Sequence, residues 1–232
     1  MAAGLVRRIA SWAFDAECVV ALAGQSVEVD ALEEEGSSRV ARLAQPSRGA
    51  QLNAGAALAR GAVLLFHHAD SELTPAHLTS LVAAMNRPEI IGGAFCRAFD
   101  ERHPYLRWLE PLARRWDECG GTLYGDQSLF VRASVFRVLD GFAPIPLMED
   151  VEFSARLRRA GKVAILEPPL RTSDRQHRRD GAWRTSFRNG LFLLLYQMGV
   201  PPATLHRWYY RREAPAKPMN EDAENKSVGI PL

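Results

Sequence analysis

A continuous apolar run, Ala62 to Phe66 (AVLLF), follows directly on a helix-like segment from Arg48 to Arg60 and ends in His67-His68-Ala69-Asp70. An unbroken run of this length between turn signals fits a strand buried on both faces, the pattern of sheets covered by helices on each side. Gly61 sits where a helix stop belongs. A strand at Glu17 to Leu22 and a second at Arg39 to Leu43 precede the helix, so strand, helix and strand follow one another at the spacing of a parallel sheet. This constrains the chain to an α/β fold, a mostly parallel twisted sheet flanked by helices.

The rest of the chain keeps the alternation. Thr74-Pro75 pairs a capping hydroxyl with a proline at the first helical position and opens a helix to about Asn86. Ile90 to Phe99 reads as a strand, residues 104–118 as an aromatic helix, and Gly120 to Gln127 as a loop entering a strand at Ser128 to Val131. Met148-Glu149-Asp150 opens a helix that Gly161 ends, and Val163 to Leu166 is a strand stopped by Pro168-Pro169. Two basic, aromatic helices follow, at about 181–197 and 202–211. From residue 213 the composition turns polar with Pro, Asn and Lys, the signature of a disordered tail.

Composition narrows the classes further. The 232 residues are 47% hydrophobic and 24% charged, close to the globular average. The net charge of +2 gives no general affinity for nucleic acid, yet residues 151–212 carry thirteen Lys or Arg against four Asp or Glu. Aromatic residues interleave there, but without a recognised nucleic-acid motif, so that reading ranks last. Cys18, Cys96 and Cys119 match no zinc or redox spacing and are read as reduced thiols of an intracellular protein. Met1 to Ala10 has no apolar run of signal-peptide quality, and the longest apolar run is too short to span a bilayer. A cytoplasmic location follows, with Trp183, Phe187, Leu191, Leu194, Leu195, Trp208 and Tyr209 offering peripheral contact with the inner face of the membrane beside Arg184, Arg188, Arg207, Arg211 and Arg212.

Four groups could carry chemistry. Asp70, just past the carboxyl end of the buried strand, stands where open α/β sheets bind ligands, and a carboxylate there can share a hard cation with phosphate oxygens. Glu149-Asp150 opens a helix, whose dipole favours ionised carboxylates, and an ionised Asp in a cleft can take a proton from a hydroxyl. Gly125-Asp126-Gln127 sets polar groups before an apolar strand, and Arg48 with Asn53 lies on the helix before Gly61. Each has a plainer reading as a turn, cap or solvated charge.

Their order resembles family-two glycosyltransferases of the GT-A fold: Arg48 to Gly61, then Val63 to Asp70, then Tyr124 to Arg132, then Gly141 to Phe153. The nearest likeness is a bacterial subgroup associated with radical-SAM or selenoprotein genes. The resemblance covers residues 17–212 and implies a single glycosyltransferase-like domain over 1–212. It implies an inverting transferase that moves a sugar from a nucleoside-diphosphate donor to a hydroxyl acceptor, lipid-linked acceptors included, with Mg or Mn. By position, Asp70 would hold the metal with His68 in place of the motif's first aspartate. Asp150 would be the base and Glu149 its partner, while Gly125, Asp126, Gln127, Arg48 and Asn53 would line donor and acceptor.

The pattern departs from the family at its start. No apolar strand ending in Pro and Asn-Glu precedes Glu17, so the domain lacks the usual first strand, and Ala23-Gly24-Gln25-Ser26 stands where the family has Asp-Gly-Gly-Ser. The alternative is therefore a degenerate relative that binds sugar, nucleotide or a partner without turnover. The edge of the strand at 17–22 also needs a cover, and the helix at 3–14 is the local candidate.

Overall fold

The computed structural model describes residues 2–24, 26–34, 36, 38–44, 47–68, 71–98, 114–116, 120–172, 182–210 and 227–231. Asp70, Cys119, Arg211, Arg212 and most of the expected helix at 104–118 lie outside the described residues, and so do the side chains of Trp183 and Arg184. The chain order is α1 (Ala2–Ala10), β1 (Val19–Ala23), α2 (Val27–Glu34), β2 (Arg39–Leu43), α3 (Arg48–Leu58) and β3 (Val63–His68). There follow β4 (Ser71–Glu72), α4 (Pro75–Met85), β5 (Ile90–Ala98), a 3₁₀ turn (Gly125–Gln127), β6 (Leu129–Arg132) and α5 (Ala133–Val138). The last elements are α6 (Glu149–Ala160), β7 (Lys162–Thr172), α7 (Ala182–Gln197), α8 (Pro202–Tyr210) and β8 (Ser227–Pro231).

The strands make one sheet in the order β2-β1-β8-β3-β6-β5-β7-β4. Strands β1, β2, β3, β5 and β7 share a direction, as a GT-A-like α/β domain requires. Among the described strands, however, only β1 with β2 and β5 with β7 pair in parallel, because β8, β6 and β4 run against the rest. The sheet is mixed rather than mostly parallel in its ladders.

Strand β3 shows why its apolar run is unbroken. Val63 and Leu65 pack into one core with Leu5, Val29 and Leu78, while Leu64 and Phe66 pack into a second with Leu52, Phe136 and Phe153. Helices α1, α2 and α4 thus cover one face, and α3, α5 and α6 the other. Gly93 has no room for a side chain, since a Cβ there would stand 2.7 Å from the Phe130 ring. The close approach expected of a glycine-bearing strand is what β5 uses against its neighbours.

A helix the sequence did not announce, α2, ends at Glu34 and is tied to β2 by Arg42, whose guanidinium meets Asp30 and Glu33 at 2.7 Å each. Three expectations are corrected here. Strand β7 runs on through Pro168 and Pro169 to Thr172, because β5 and β4 pair with the residues beyond them. The tail from 213 is not wholly disordered, since Ser227–Pro231 is a strand lying between β1 and β3. That strand, and not α1, closes the free edge of β1, while α1 lies on the sheet face with Leu5, Val6 and Ile9 buried.

Candidate functional site

The amino ends of α3 and α6 meet at the carboxyl end of β3. Arg48 opens α3, Glu149 and Asp150 open α6, and the turn Gly125–Gln127 enters β6 opposite Phe66. Between them lies a crevice lined by Arg48, His67, His68, Gly125, Phe142 and Asp150 among others. Its volume is about 10 Å³, room for roughly one water molecule.

Arg48 is the hub. Its Nη1 lies 3.1 Å from Glu149 Oε1 and 3.5 Å from Asp150 Oδ2. Burial works against the guanidinium charge, but Asp150, Glu149 and Asp126 together outweigh it and hold Arg48 above its ordinary value. Glu149 is only 4% exposed, and burial pushes its carboxyl above the usual range. Arg48 opposes that shift and the Asp150 charge adds to it. A half-buried cation set against the buried Glu149 carboxylate is costly to separate, because removal of Arg48 leaves the Glu149 charge without a counter-ion.

Asp150 is fixed by backbone donors. The Gly125 N–H donates to its Oδ2 at 2.7 Å and the Val151 N–H to its Oδ1 at 2.8 Å. Each carboxylate oxygen has a second lone pair, so the group can still accept a proton from the crevice side. Gly125 is needed at this spot because a Cβ would press on the Arg48 guanidinium, reaching within 2.8 Å of Cζ. Met148, just before Glu149, and Ser128, just after Gln127, have φ of 68° and 53°. Left-handed backbone at two non-glycine residues flanking the same crevice is the strain that packed functional sites tend to store.

Other expected site residues take different places. Asn53 does not reach the crevice lining: its Nδ2 donates to the Phe142 carbonyl at 2.8 Å and its Oδ1 accepts from the Phe142 N–H at 2.9 Å. It clamps the Gly141-Phe142 turn against α3. Gln127 is fully buried and holds the turn together, accepting from the Tyr124 N–H and donating to the Phe95 carbonyl. Asp126 is half-buried and contributes charge to the Arg48 group. His67 and His68 both line the crevice, and His67 is buried between Ser128 Oγ, 2.7 Å from Nδ1, and the Ser71 carbonyl.

A larger recess lies alongside α6. Its volume is about 420 Å³, and it is lined by the 120–122 loop, by Glu152, Ser154, Arg158 and Arg159 of α6, and by Tyr196 of α7. Residues 151, 154, 155 and 158 recur at helical spacing on one face, a signal visible in the sequence once α7 is known to face them. Ser154 also donates stability to the loop, its Oγ accepting from the Leu123 N–H at 2.8 Å.

Residues 26–137 match the Glycosyl transferase family 2 model. The match supports a glycosyltransferase-type function and takes in Arg48, Asn53, His68 and the Gly125–Gln127 turn. It ends before Glu149, so the family-two likeness and the acid pair meet only in the folded crevice. No curated protein and no solved structure matches the chain. Family-two enzymes commonly use a divalent metal. Among the described residues no cluster of three or more His, Cys, Asp or Glu gathers as a cation site. Glu149 and Asp150 at the crevice are paired with Arg48.

Proposed function

We propose that the protein is an inverting glycosyltransferase that moves a sugar from a nucleoside-diphosphate donor to a hydroxyl acceptor. The observation that carries this reading is Asp150, held between two backbone N–H groups at a crevice to which Arg48 and His68 also contribute. In it, the Asp150 carboxylate takes the acceptor hydroxyl's proton as the oxygen attacks the anomeric carbon. Arg48 and the amino ends of α3 and α6 face the leaving diphosphate, where oriented N–H groups and positive charge favour an anion. Glu149 fixes Arg48 in place.

Asp70 is assigned to a divalent cation, with His68 as a contact to the donor. One carboxylate plus diphosphate oxygens and water is a set that Mg²⁺ accepts, and the cation would neutralise diphosphate charge as it leaves. The acceptor is assigned to the recess beside α6, where Arg158, Arg159 and Tyr196 suit an acceptor with an anionic group. No helix among the described residues is long and apolar enough to cross a membrane. Phe187, Leu191 and Leu194 on α7, Met198 just after it, and Trp208 and Tyr210 on α8 are nevertheless exposed, with Arg207 beside them on α8. This supports a peripheral contact with an anionic bilayer and a lipid-linked acceptor. Flotation with anionic liposomes tests that contact, and a chain that stays with the unbound fraction at low salt refutes it.

A second reading, binding without turnover, is favoured by the crevice's small volume and by Ala23 at the end of β1, which offers no carboxylate to a base. Calorimetry with uridine and guanosine diphosphates and Mn²⁺ tests the donor site. Binding that is saturable, needs the metal and is lost in Asp70→Ala supports the assignment. Equal affinity in Asp70→Ala refutes it.

A further inference from the structure

The segment that leads into β6 is clasped to α6 at two successive places. The Gly125 N–H donates to Asp150 Oδ2 at 2.7 Å, and the Leu123 N–H donates to Ser154 Oγ at 2.8 Å. The donors lie two residues apart and the acceptors four apart, in opposite order along the chain. Tyr124, between the donors, has φ of −106° and ψ of 154°, extended backbone in which alternate N–H groups share a side. Its own N–H goes instead to Gln127 Oε1 at 2.8 Å.

The spacings agree. Two extended residues advance about 6.6 Å, and four helical residues about 6 Å, so one turn of α6 takes up one repeat of the segment and both bonds form in register. Positions 150 and 154 share a face of the helix. Ser154 is 1% exposed and Leu123 is fully buried, so the Leu123 N–H has no water to turn to if the hydroxyl is lost. Beyond Leu123 the pattern stops: the Gly121 N–H donates to the Trp116 carbonyl at 2.7 Å, and the recess lined by Gly120, Gly121, Thr122 and Ser154 opens there. Ser154 therefore stands between the recess and the crevice that Asp150 lines.

The two donors on Asp150 differ in origin. Val151 belongs to α6 and moves with the carboxylate, whereas Gly125 is brought by the segment. The placement of the segment thus decides how Oδ2 is held at the crevice. We propose that Ser154 is a positioning residue for Asp150: by holding Leu123, it keeps the segment in the register that sets the Gly125 N–H on the Asp150 carboxylate. The inference rests on Asp150 as the proton acceptor, and it adds a residue outside the crevice that steadies that group. An acceptor seated in the recess would lie against the same residue.

The test is amide hydrogen exchange of the full chain, read by NMR, with Val151 as the internal reference because its N–H bonds the same carboxylate from within α6. In Ser154→Ala the Leu123 amide should exchange faster, and the Gly125 amide should follow by about tenfold or more while Val151 changes less than about threefold. Ser154→Thr, which keeps the hydroxyl, should restore Gly125. If Ser154→Ala does not fold, Asp150→Ala reads the link from its other end, since coupling is reciprocal, and the Leu123 amide should then lose protection. In a transfer assay Ser154→Ala should lower kcat about 10- to 10²-fold with the acceptor KM within about threefold, and Ser154→Thr should regain the rate. Gly125 exchange unchanged in Ser154→Ala, Gly125 and Val151 accelerated alike, Leu123 unchanged in Asp150→Ala, or an unchanged kcat overturns the proposal. A wild type without transfer refutes the enzymatic reading and not the clasp, which the exchange rates decide alone.

Discussion

Replacing Gly125 with alanine probes the crevice more sharply than removal of any charge. The added methyl would strike the Arg48 guanidinium, within 2.8 Å of Cζ. Two relaxations are open. Arg48 can swing out, which separates it from the buried Glu149 and from Asp150, and breaking a buried pair typically costs about 3–5 kcal/mol. Alternatively the turn can shift, which loses the Gly125 N–H bond to Asp150, worth about 1.5–3 kcal/mol for a charged acceptor. The chain takes the cheaper path, so the expected loss is about 2–3 kcal/mol. In a domain of this size that lowers the melting temperature by about 4–12 °C. Urea denaturation of wild type, Gly125→Ala, Arg48→Met and the double variant gives the coupling. With Arg48 shortened to methionine the alanine should cost under about 1 kcal/mol. An equal cost in both backgrounds would show that the glycine serves the turn alone and that the Arg48 contact is incidental.

Further outcomes follow from the same contacts. Burial raises the Glu149 carboxyl, so its contribution to stability is complete below its ordinary value of 4.5 and is lost as pH rises through the folded value. Glu149→Gln should therefore gain on wild type in melting temperature between pH 4 and 7, and a constant difference across that range would refute the shift. His77 shows the opposite sign: burial lowers it, against the Pro169 backbone and Glu72, so its contribution is complete above 6.5 and lost as pH falls through the folded value. The Thr74 N–H donates to His77 Nδ1 at 3.2 Å, a role glutamine can take, so His77→Gln should flatten the loss of stability below pH 6.5. Asn53→Ala should cost about 2–4 kcal/mol in urea, since it strands both backbone groups of the buried Phe142. Burial pushes the Cys18 thiol up to about 12, with Glu17 adding to it, so thiol reagents at pH 8 should leave Cys18 unmodified in the folded chain.

Much of the frame was legible because local signals and tertiary packing agree. The run Ala62 to Phe66 is apolar at every position because alternate residues enter separate cores, and Thr74-Pro75 opens α4 as its cap and first-turn residues predict. The pairing of Glu149 and Asp150 at a helix start was equally visible. Other features depend on contacts between residues far apart in sequence. That Arg48 pairs with the acid pair, and that Asn53 clamps Phe142, follows from how α3 meets the 141–150 loop. Strand β8 was hidden for a different reason. Ser-Val-Gly-Ile-Pro carries a glycine and a proline within a polar tail, so propensity argues against a central strand, and only the gap between β1 and β3 overrides it.

The proposed transfer stands on Asp150 as the proton acceptor, and release of nucleoside diphosphate from a panel of nucleotide sugars, with a hydroxyl acceptor and Mn²⁺ present, measures it directly. Asn at 150 keeps the shape but sets an amide donor against either the Gly125 or the Val151 N–H. Melting temperature and donor affinity are therefore read on the same samples. The account predicts release by the wild type with at least one donor. In Asp150→Asn the rate should fall about 10²- to 10⁴-fold, the usual worth of a general base, while donor affinity changes by less than about tenfold. Turnover retained in a folded Asp150→Asn variant, or no release by the wild type with any donor it binds, would contradict it.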